Sequence, residues 1–315
     1  MLHPVDALFT APSPSLALEF LGDLDLRRTD APGGPLSVDP VGATSHPRVW
    51  AAGNVVSPYG NVPLSMGAGS MAGAAVNAAL VAEDADRAVA DRTGRRNAHW
   101  EQRYADSTQV WSGRTNATTI AAVEQLTASA GETPRTALEI GCGEGADAVW
   151  LAEHGWSVTA IDVAPTAIER GRTAAAKRGI APERLRFVAQ DAAGALPEGP
   201  FDLVVSSFLH SWEEDFPRIG ILRDAAERVA PGGWLLAVSH ASAPSWAADE
   251  HHEGPVLHTP EEEWRQLALD PDIWTVERAE VRRRSITGPD GNAATLDDGV
   301  LLLRRRAEQH SGSRS

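Results

Sequence analysis

The chain has 315 residues, a formal net charge of −15 and 43% hydrophobic residues, enough to fill the cores of two domains. The acidic balance disfavours nucleic acid as a partner, because phosphate binding needs a basic face. Its single cysteine, Cys142, excludes a disulfide scaffold, and no basic, then apolar, then small-residue leader starts at Met1, so a cytoplasmic enzyme is expected.

Reading along the chain, Arg48-Val-Trp-Ala-Ala-Gly-Asn54 precedes Val62-Pro-Leu-Ser-Met-Gly-Ala-Gly-Ser-Met-Ala-Gly-Ala-Ala-Val-Asn77. The second run predicts a helix from Leu64 to about Ala90. Gly69-x-x-x-Gly73 lies within a stretch of mostly small residues, but Asn77 and Glu83-Asp-Ala-Asp86 interrupt or end it, so a packed soluble helix is expected and no membrane partner. The two runs are similar to the end of a thioredoxin-reductase-like flavoprotein, in which a short strand ends in Gly-Asp beside the flavin; here Asn54 replaces the acid. No adenine-binding strand precedes residue 54, there is no nicotinamide domain, and one cysteine makes no dithiol pair. Residues 1–92 therefore read as an incomplete C-terminal fragment of such a reductase. No independent FAD binding is expected of it, and docking to a separate reductase is one explanation of its presence.

His99-Trp-Glu-Gln-Arg-Tyr104 continues to Trp111 and Asn116. Trp100 and Tyr104 at i and i+4 suit either core packing or a contact to a cation through an aromatic face, and the sequence leaves both open; Trp111 is the better ligand contact.

Thr136-Ala-Leu-Glu-Ile-Gly-Cys-Gly-Glu-Gly-Ala-Asp147 is an apolar strand running into closely spaced glycines and then a helical pattern. Such a junction brings backbone and free helical N–H groups close to a nucleotide-like ligand. Gly141-x-Gly143-x-x-Ala146 also satisfies the dinucleotide fingerprint, and Asp162 falls near the acid expected about 20 residues on, so the glycines alone do not distinguish NAD from S-adenosylmethionine. Glu139 does, because a carboxylate there suits an ammonium and a sulfonium and repels a pyrophosphate.

A regular alternation follows: strand Ser157 to Asp162, helix Pro165 to Arg178, strand Arg184 to Asp191, strand Phe201 to His210, helix Phe216 to Ala230, and strand Trp234 to His240. Thr259-Pro-Glu-Glu262 reads as a capping box opening a helix through Leu267. Two strand-like runs, Trp274 to Ile286 and Gly299 to Arg305, joined by Gly288-Pro-Asp-Gly291, predict an antiparallel hairpin. The expected fold is α/β, a Rossmann-like, mostly parallel seven-stranded sheet with a C-terminal antiparallel hairpin and a small N-terminal flavoprotein-like segment. Residues 93–307 form the main domain and 308–315 a disordered tail.

Leu-Glu-Ile-Gly-Cys-Gly-Glu-Gly resembles the first motif of class I S-adenosylmethionine-dependent methyltransferases, and the aromatic run before it resembles their tellurite-resistance and thiopurine methyltransferase-like branch. The resemblance implies S-adenosylmethionine as cofactor. It also implies a cofactor site of Glu139, Gly141, Cys142, Gly143, Asp162, Val163, Gln190, Asp191, Ala192 and Ser207, with Tyr104 and Trp111 beside the sulfonium. In that family Asp162 would bind the ribose diol and Asp191 the adenine amino group.

The fourth strand ends in Ser-Ser-Phe-Leu, without the Asn/Asp-Pro-Pro-aromatic run of enzymes that methylate DNA amino groups, so a small-molecule acceptor is expected, a thiol, metalloid or other soft nucleophile among them. If a proton must leave, His210 is the first candidate base and His240 the second. No metal is expected; His251, His252 and His258 cluster without a matching Cys or carboxylate motif. Arg282-Arg-Arg284 and Arg304-Arg-Arg306 read as edge-strand protection. The competing readings are an NAD(P)- or FAD-linked oxidoreductase and a non-catalytic adaptor.

Overall fold

The structure, a computed structural model, describes residues 18–29, 34–128, 135–210, 216–242, 257–287 and 291–307. It divides into two compact units, Met1–Thr93 and Gly94–Ser315.

In the first unit the backbone makes two 3-10 turns, Glu19–Leu24 and Gly53–Val55, and two isolated bridges, Arg28 with Leu36 and Ala43 with Trp50. The strand expected before Asn54 is reduced to one of those bridges, because among the described residues no neighbouring strand offers it a ladder. Helix α1 runs unbroken through Val62–Ala105, 44 residues, so the expected stop near Ala90 is absent. Neither the acids nor Gly94 is a helix breaker of the strength of proline, and none interrupts it. The expected packing is also not found. The helix is long and apolar enough to cross a membrane, with a mean hydropathy of 1.4 over its most apolar stretch, of which 6% is buried. Among the described residues, two short turns and two bridges supply too little surface to cover it.

The second unit is built on one seven-stranded sheet in the order β3-β2-β1-β4-β5-β7-β6. The strands are β1 Arg135–Ile140, β2 Trp156–Asp162, β3 Leu185–Ala189, β4 Phe201–Ser207, β5 Val229–His240, β6 Trp274–Thr287 and β7 Ala293–Arg305. The first five pair in parallel, and β7 enters antiparallel between β5 and β6. The sheet and closing hairpin agree with the sequence reading.

Parallel strands carry side chains to alternate faces, and both faces here are covered. Ala137, Leu203, Val205, Leu236 and Val238 pack with α2 (Ala117–Ala128), α3 (Ala146–Glu153) and α4 (Pro165–Lys177). Leu138, Ile140, Val204, Leu235 and Ala237 pack with α5 (Arg218–Glu227) and α6 (Pro260–Leu267). Helix α5 is shorter than its apolar pattern suggested, since β5 already begins at Val229 and runs through Pro231 and its glycines. The capping box forms as read: the Glu262 N–H donates to Thr259 Oγ1 at 3.2 Å, and the Thr259 N–H donates to Glu262 Oε2 at 2.9 Å. His251, His252, most of the β6–β7 turn and the 308–315 tail lie outside the described residues.

Candidate cofactor site

At the carboxyl ends of the parallel strands lies a cavity of about 620 Å³. That position is where open α/β sheets hold ligands, at the point where strand order reverses between β1 and β4. Its lining includes each residue singled out above: Tyr104, Trp111, Glu139, Gly141, Cys142, Gly143, Asp162, Val163, Gln190, Asp191, Ala192, Ser207 and His210. His240 and Trp100 line it too.

The glycine loop is shaped by two neighbours. Gly141 and Cys142 donate their N–H groups to the Ile161 carbonyl, each at 2.9 Å, and Gly143 donates to Asp162 Oδ2 at 2.8 Å. Gly145, at φ +83°, starts α3; a Cβ there would lie 2.6 Å from the Phe187 ring. Asp162 Oδ1 accepts from the Ala164 N–H at 2.9 Å, so each carboxylate oxygen holds one backbone donor.

Three carboxylates converge beneath this loop. Glu139 and Asp147 are 3% and 7% exposed and Asp162 is 9%. Burial is the main reason all three are raised above the ordinary carboxylate range. Glu139 rises further through the charges of Asp147 and Asp162. Glu139 Oε2 and Asp147 Oδ2 have no hydrogen-bond partner among the described residues. A desolvated cluster of this kind is relieved by a cation. Asp147 was not singled out from the sequence; the signal was present, an acid in the first turn of the helix that leaves the glycine loop. Its Oδ1 accepts from the Asn116 N–H at 3.2 Å, and α2 begins just beyond.

Aromatic groups close one side. The Trp111 indole N–H donates to the Tyr104 hydroxyl at 2.7 Å, and both side chains stand about 3 Å from where a Gly143 Cβ would be. Burial, then the Asp162 charge, raises the Tyr104 phenol, so it stays un-ionised. Tyr104 therefore serves the core and the cavity at once. The loop residue Glu144 organises this wall: its carboxylate accepts from the Val110 and Trp111 N–H groups, at 3.3 and 3.1 Å, and from Arg170 Nη1 at 2.9 Å. Arg170 Nη2 in turn donates to the Tyr104 carbonyl at 2.7 Å and to that of Ser107.

At the far strand end, Asp191 differs from a simple free acid. Its Oδ2 accepts from Asn97 Nδ2 at 3.0 Å and meets Arg96 Nη2 at 3.4 Å, while Oδ1 accepts from the Ala193 N–H at 2.8 Å. Arg96 and Asn97 carried no sequence signal, since nothing local ties α1 to the end of β3.

The opposite end of the cavity is bounded by Ser207, Phe208, Leu209, His210 and His240. Phe208 adopts φ +55°, a left-handed conformation rare for a bulky residue and typical of functional sites. Burial, then neighbouring His240, pushes His210 down to about 4, so it is neutral at ordinary pH. Burial, then Glu139 and Asp162, raises the Cys142 thiol, which leaves it a poor nucleophile. Among the described residues no group of His, Cys, Asp and Glu could hold a metal ion.

Comparison with known proteins agrees with this architecture. A family profile described as a methyltransferase domain matches residues 137–233. The chain is 30% identical over 177 residues to a 2-heptyl-1-hydroxyquinolin-4(1H)-one methyltransferase of Mycobacteroides abscessus, covering 56% of this chain and 72% of that protein. It is 32% identical over 125 residues to a ribosomal RNA small subunit methyltransferase C of Chromohalobacter salexigens, covering 38% of this chain. It spans 36% of the length of that relative. In fold it is similar, at a TM-score of 0.51 and 22% identity over 68% of this chain and 94% of the other, to a structure on the conversion of a disulfide bond into a thioacetal group during echinomycin biosynthesis. The chain belongs to the class I S-adenosylmethionine-dependent methyltransferases. The cofactor that goes with this family is S-adenosylmethionine, and the cation-seeking carboxylates under the glycine loop fit its ammonium and sulfonium groups.

Proposed function

We propose that the chain transfers the methyl group of S-adenosylmethionine to a small-molecule acceptor by in-line displacement. The observation that carries this reading is the convergence of Glu139, Asp147 and Asp162, all buried, around one glycine loop. A dinucleotide's pyrophosphate would face three carboxylates there, whereas a sulfonium cofactor supplies the missing positive charge. In this reading Asp162 takes the ribose hydroxyls, Asp191 with Gln190 and Ala192 the adenine, Glu139 the methionine end, and Trp111 with Tyr104 the sulfonium. The leaving group is already activated, so orientation and exclusion of water supply most of the rate.

Relatives of the chain are named for RNA and for small molecules alike. The net charge of −15 and the apolar, histidine-lined acceptor end favour the small molecule. The test is a calorimetric titration with S-adenosylhomocysteine and with NADH. Wild type should bind the first and not the second, and Asp162→Ala should lose that binding; unchanged binding in the variant would sink the assignment.

A second reading rests on helix α1. Val62, Leu64, Met66, Met71, Val81 and Val89 are more than half exposed, apolar surface suited to a protein partner. The flavoprotein likeness makes a separate, cytoplasmic reductase the proposed partner, with no FAD bound by the fragment itself. If the helix docks, a thioredoxin-reductase-like flavoprotein should co-elute with the full chain, and Leu64→Asp with Met71→Asp should abolish co-elution; a flavoprotein that does not co-elute with wild type would overturn this reading.

A further inference from the structure

We propose that His240 is the base that takes the acceptor's proton, that Asp298 positions it, and that the acceptor is therefore a compound with a dissociable hydroxyl, of the phenol or enol class, methylated on oxygen. The proposal rests on the methyltransferase reading above and narrows its acceptor.

The sheet register carries it. In the antiparallel β5–β7 ladder, His240 stands directly opposite Asp298, so their side chains share a face at neighbouring positions. Asp298 is fully buried, with Oδ2 bound by Arg284 Nε at 2.7 Å and Oδ1 lying 3.4 Å from His240 Nδ1. Neither Oδ1 nor Nδ1 has a hydrogen-bond partner among the described residues. Pairs of this kind are often long without substrate and tighten once it binds. Closing on the carboxylate through Nδ1 would leave Nε2, on the opposite side of the ring, to take the proton. His240 is 29% exposed, lines the cavity, and is held against Phe208 at 4.5 Å between ring centroids.

Beside His240 stand Asp298 from β7, itself held by Arg284 from β6, and, at 5.6 Å, the His210 ring beyond β4. Among the described residues no carboxylate pairs with His210, and burial beside His240 leaves it too weak a base near neutral pH. A thiolate or metalloid anion arrives already ionised and has no use for a carboxylate-oriented imidazole. A hydroxyl does. As its oxygen bonds to the methyl carbon, the carbon–sulfur bond breaks and sulfur keeps the electron pair, becoming a neutral thioether. The hydroxyl proton passes to His240 Nε2, and the resulting imidazolium, beside the Asp298 carboxylate, returns it to solvent.

The test uses the full chain, S-adenosylmethionine, and 4-nitrophenol, 4-cyanophenol and phenol at pH 8, followed by S-adenosylhomocysteine formation. His240→Gln should lose about 10²- to 10⁴-fold in kcat on phenol, and under about 10-fold on 4-nitrophenol, which is already ionised, with KM little changed. Asp298→Asn should show the same gradation more weakly; should that buried change prevent folding, His240→Gln still decides. Equal losses on all three phenols, or no loss, would overturn the proposal. Wild type that binds S-adenosylhomocysteine but methylates none of them would overturn it while leaving the cofactor reading intact; wild type that does not bind S-adenosylhomocysteine would overturn both.

Discussion

Asp162 at the end of β2 accepts the Gly143 N–H at 2.8 Å, so the acid of one strand end holds the glycine loop of the next. Its other oxygen holds the Ala164 N–H at 2.9 Å. An amide in place of the carboxylate must turn its NH2 group toward one of these donors. Asp162→Asn should therefore cost about 1–3 kcal/mol of stability, read from chemical denaturation of the ligand-free protein. An unchanged midpoint would show that the carboxylate does not hold the loop.

Glu139 gives a prediction of opposite sign. Its folded-state value is raised above that of the unfolded chain, first by burial and then by Asp147 and Asp162. The stability tied to its proton is complete below about 4.5 and is lost as pH rises through the folded value. Glu139→Gln should thus raise the neutral-pH melting temperature of the ligand-free protein while weakening S-adenosylhomocysteine binding by about 10- to 100-fold, the worth of a charged hydrogen bond. Wild-type binding should release protons, seen as a buffer-dependent heat in calorimetry. A variant that melts lower and binds normally would contradict the role given to the carboxylate.

His210 titrates the other way. It is depressed to about 4, so its contribution to stability is complete above the ordinary imidazole value of about 6.5 and is lost as pH falls toward 4. In NMR titration its ring should remain neutral at pH 5.5, and His210→Gln should flatten the decline in stability over that window. A midpoint above pH 6 would mean the ring is solvated in solution.

The start of α3 is sterically closed. Gly145 has φ +83°, and a Cβ would lie 2.6 Å from the Phe187 ring, which also packs on Gly171. Left-handed strain and overpacking together should make Gly145→Ala cost about 2–5 kcal/mol. Phe187→Leu in the same chain should recover the packing share but not the backbone share, so a double-mutant cycle should give clear coupling. Strict additivity would locate the whole effect in the backbone.

Much of the cofactor end was legible because its signals are local. A strand, a tight turn and a helix follow one another within Thr136 to Asp147, and Asp162 and Asp191 recur at strand ends in the same rhythm. Periodicity alone therefore brings Glu139, Asp162 and Asp191 to one crevice. What stayed hidden depends on pairing across distance. Asn97 reaches Asp191 from α1, and Glu144 meets Val110 and Arg170, although nothing in their own neighbourhoods marks them. The sequence reading ended α1 near Ala90, although no proline follows before Ala105 and a helix tolerates Gly94 at modest cost.

By itself, the sequence determined the parallel alternation, the glycine loop and the place of Glu139 at the strand end before it, since each follows from residue order over one or two elements. The tertiary structure alone decided that Asp298 faces His240, because β7 enters the sheet between β5 and β6 and register across that ladder is set by packing of both sheet faces. It likewise decided which carboxylate oxygens are left without partners among the described residues. Desolvation depends on everything packed around a side chain, and no stretch of neighbouring residues encodes it.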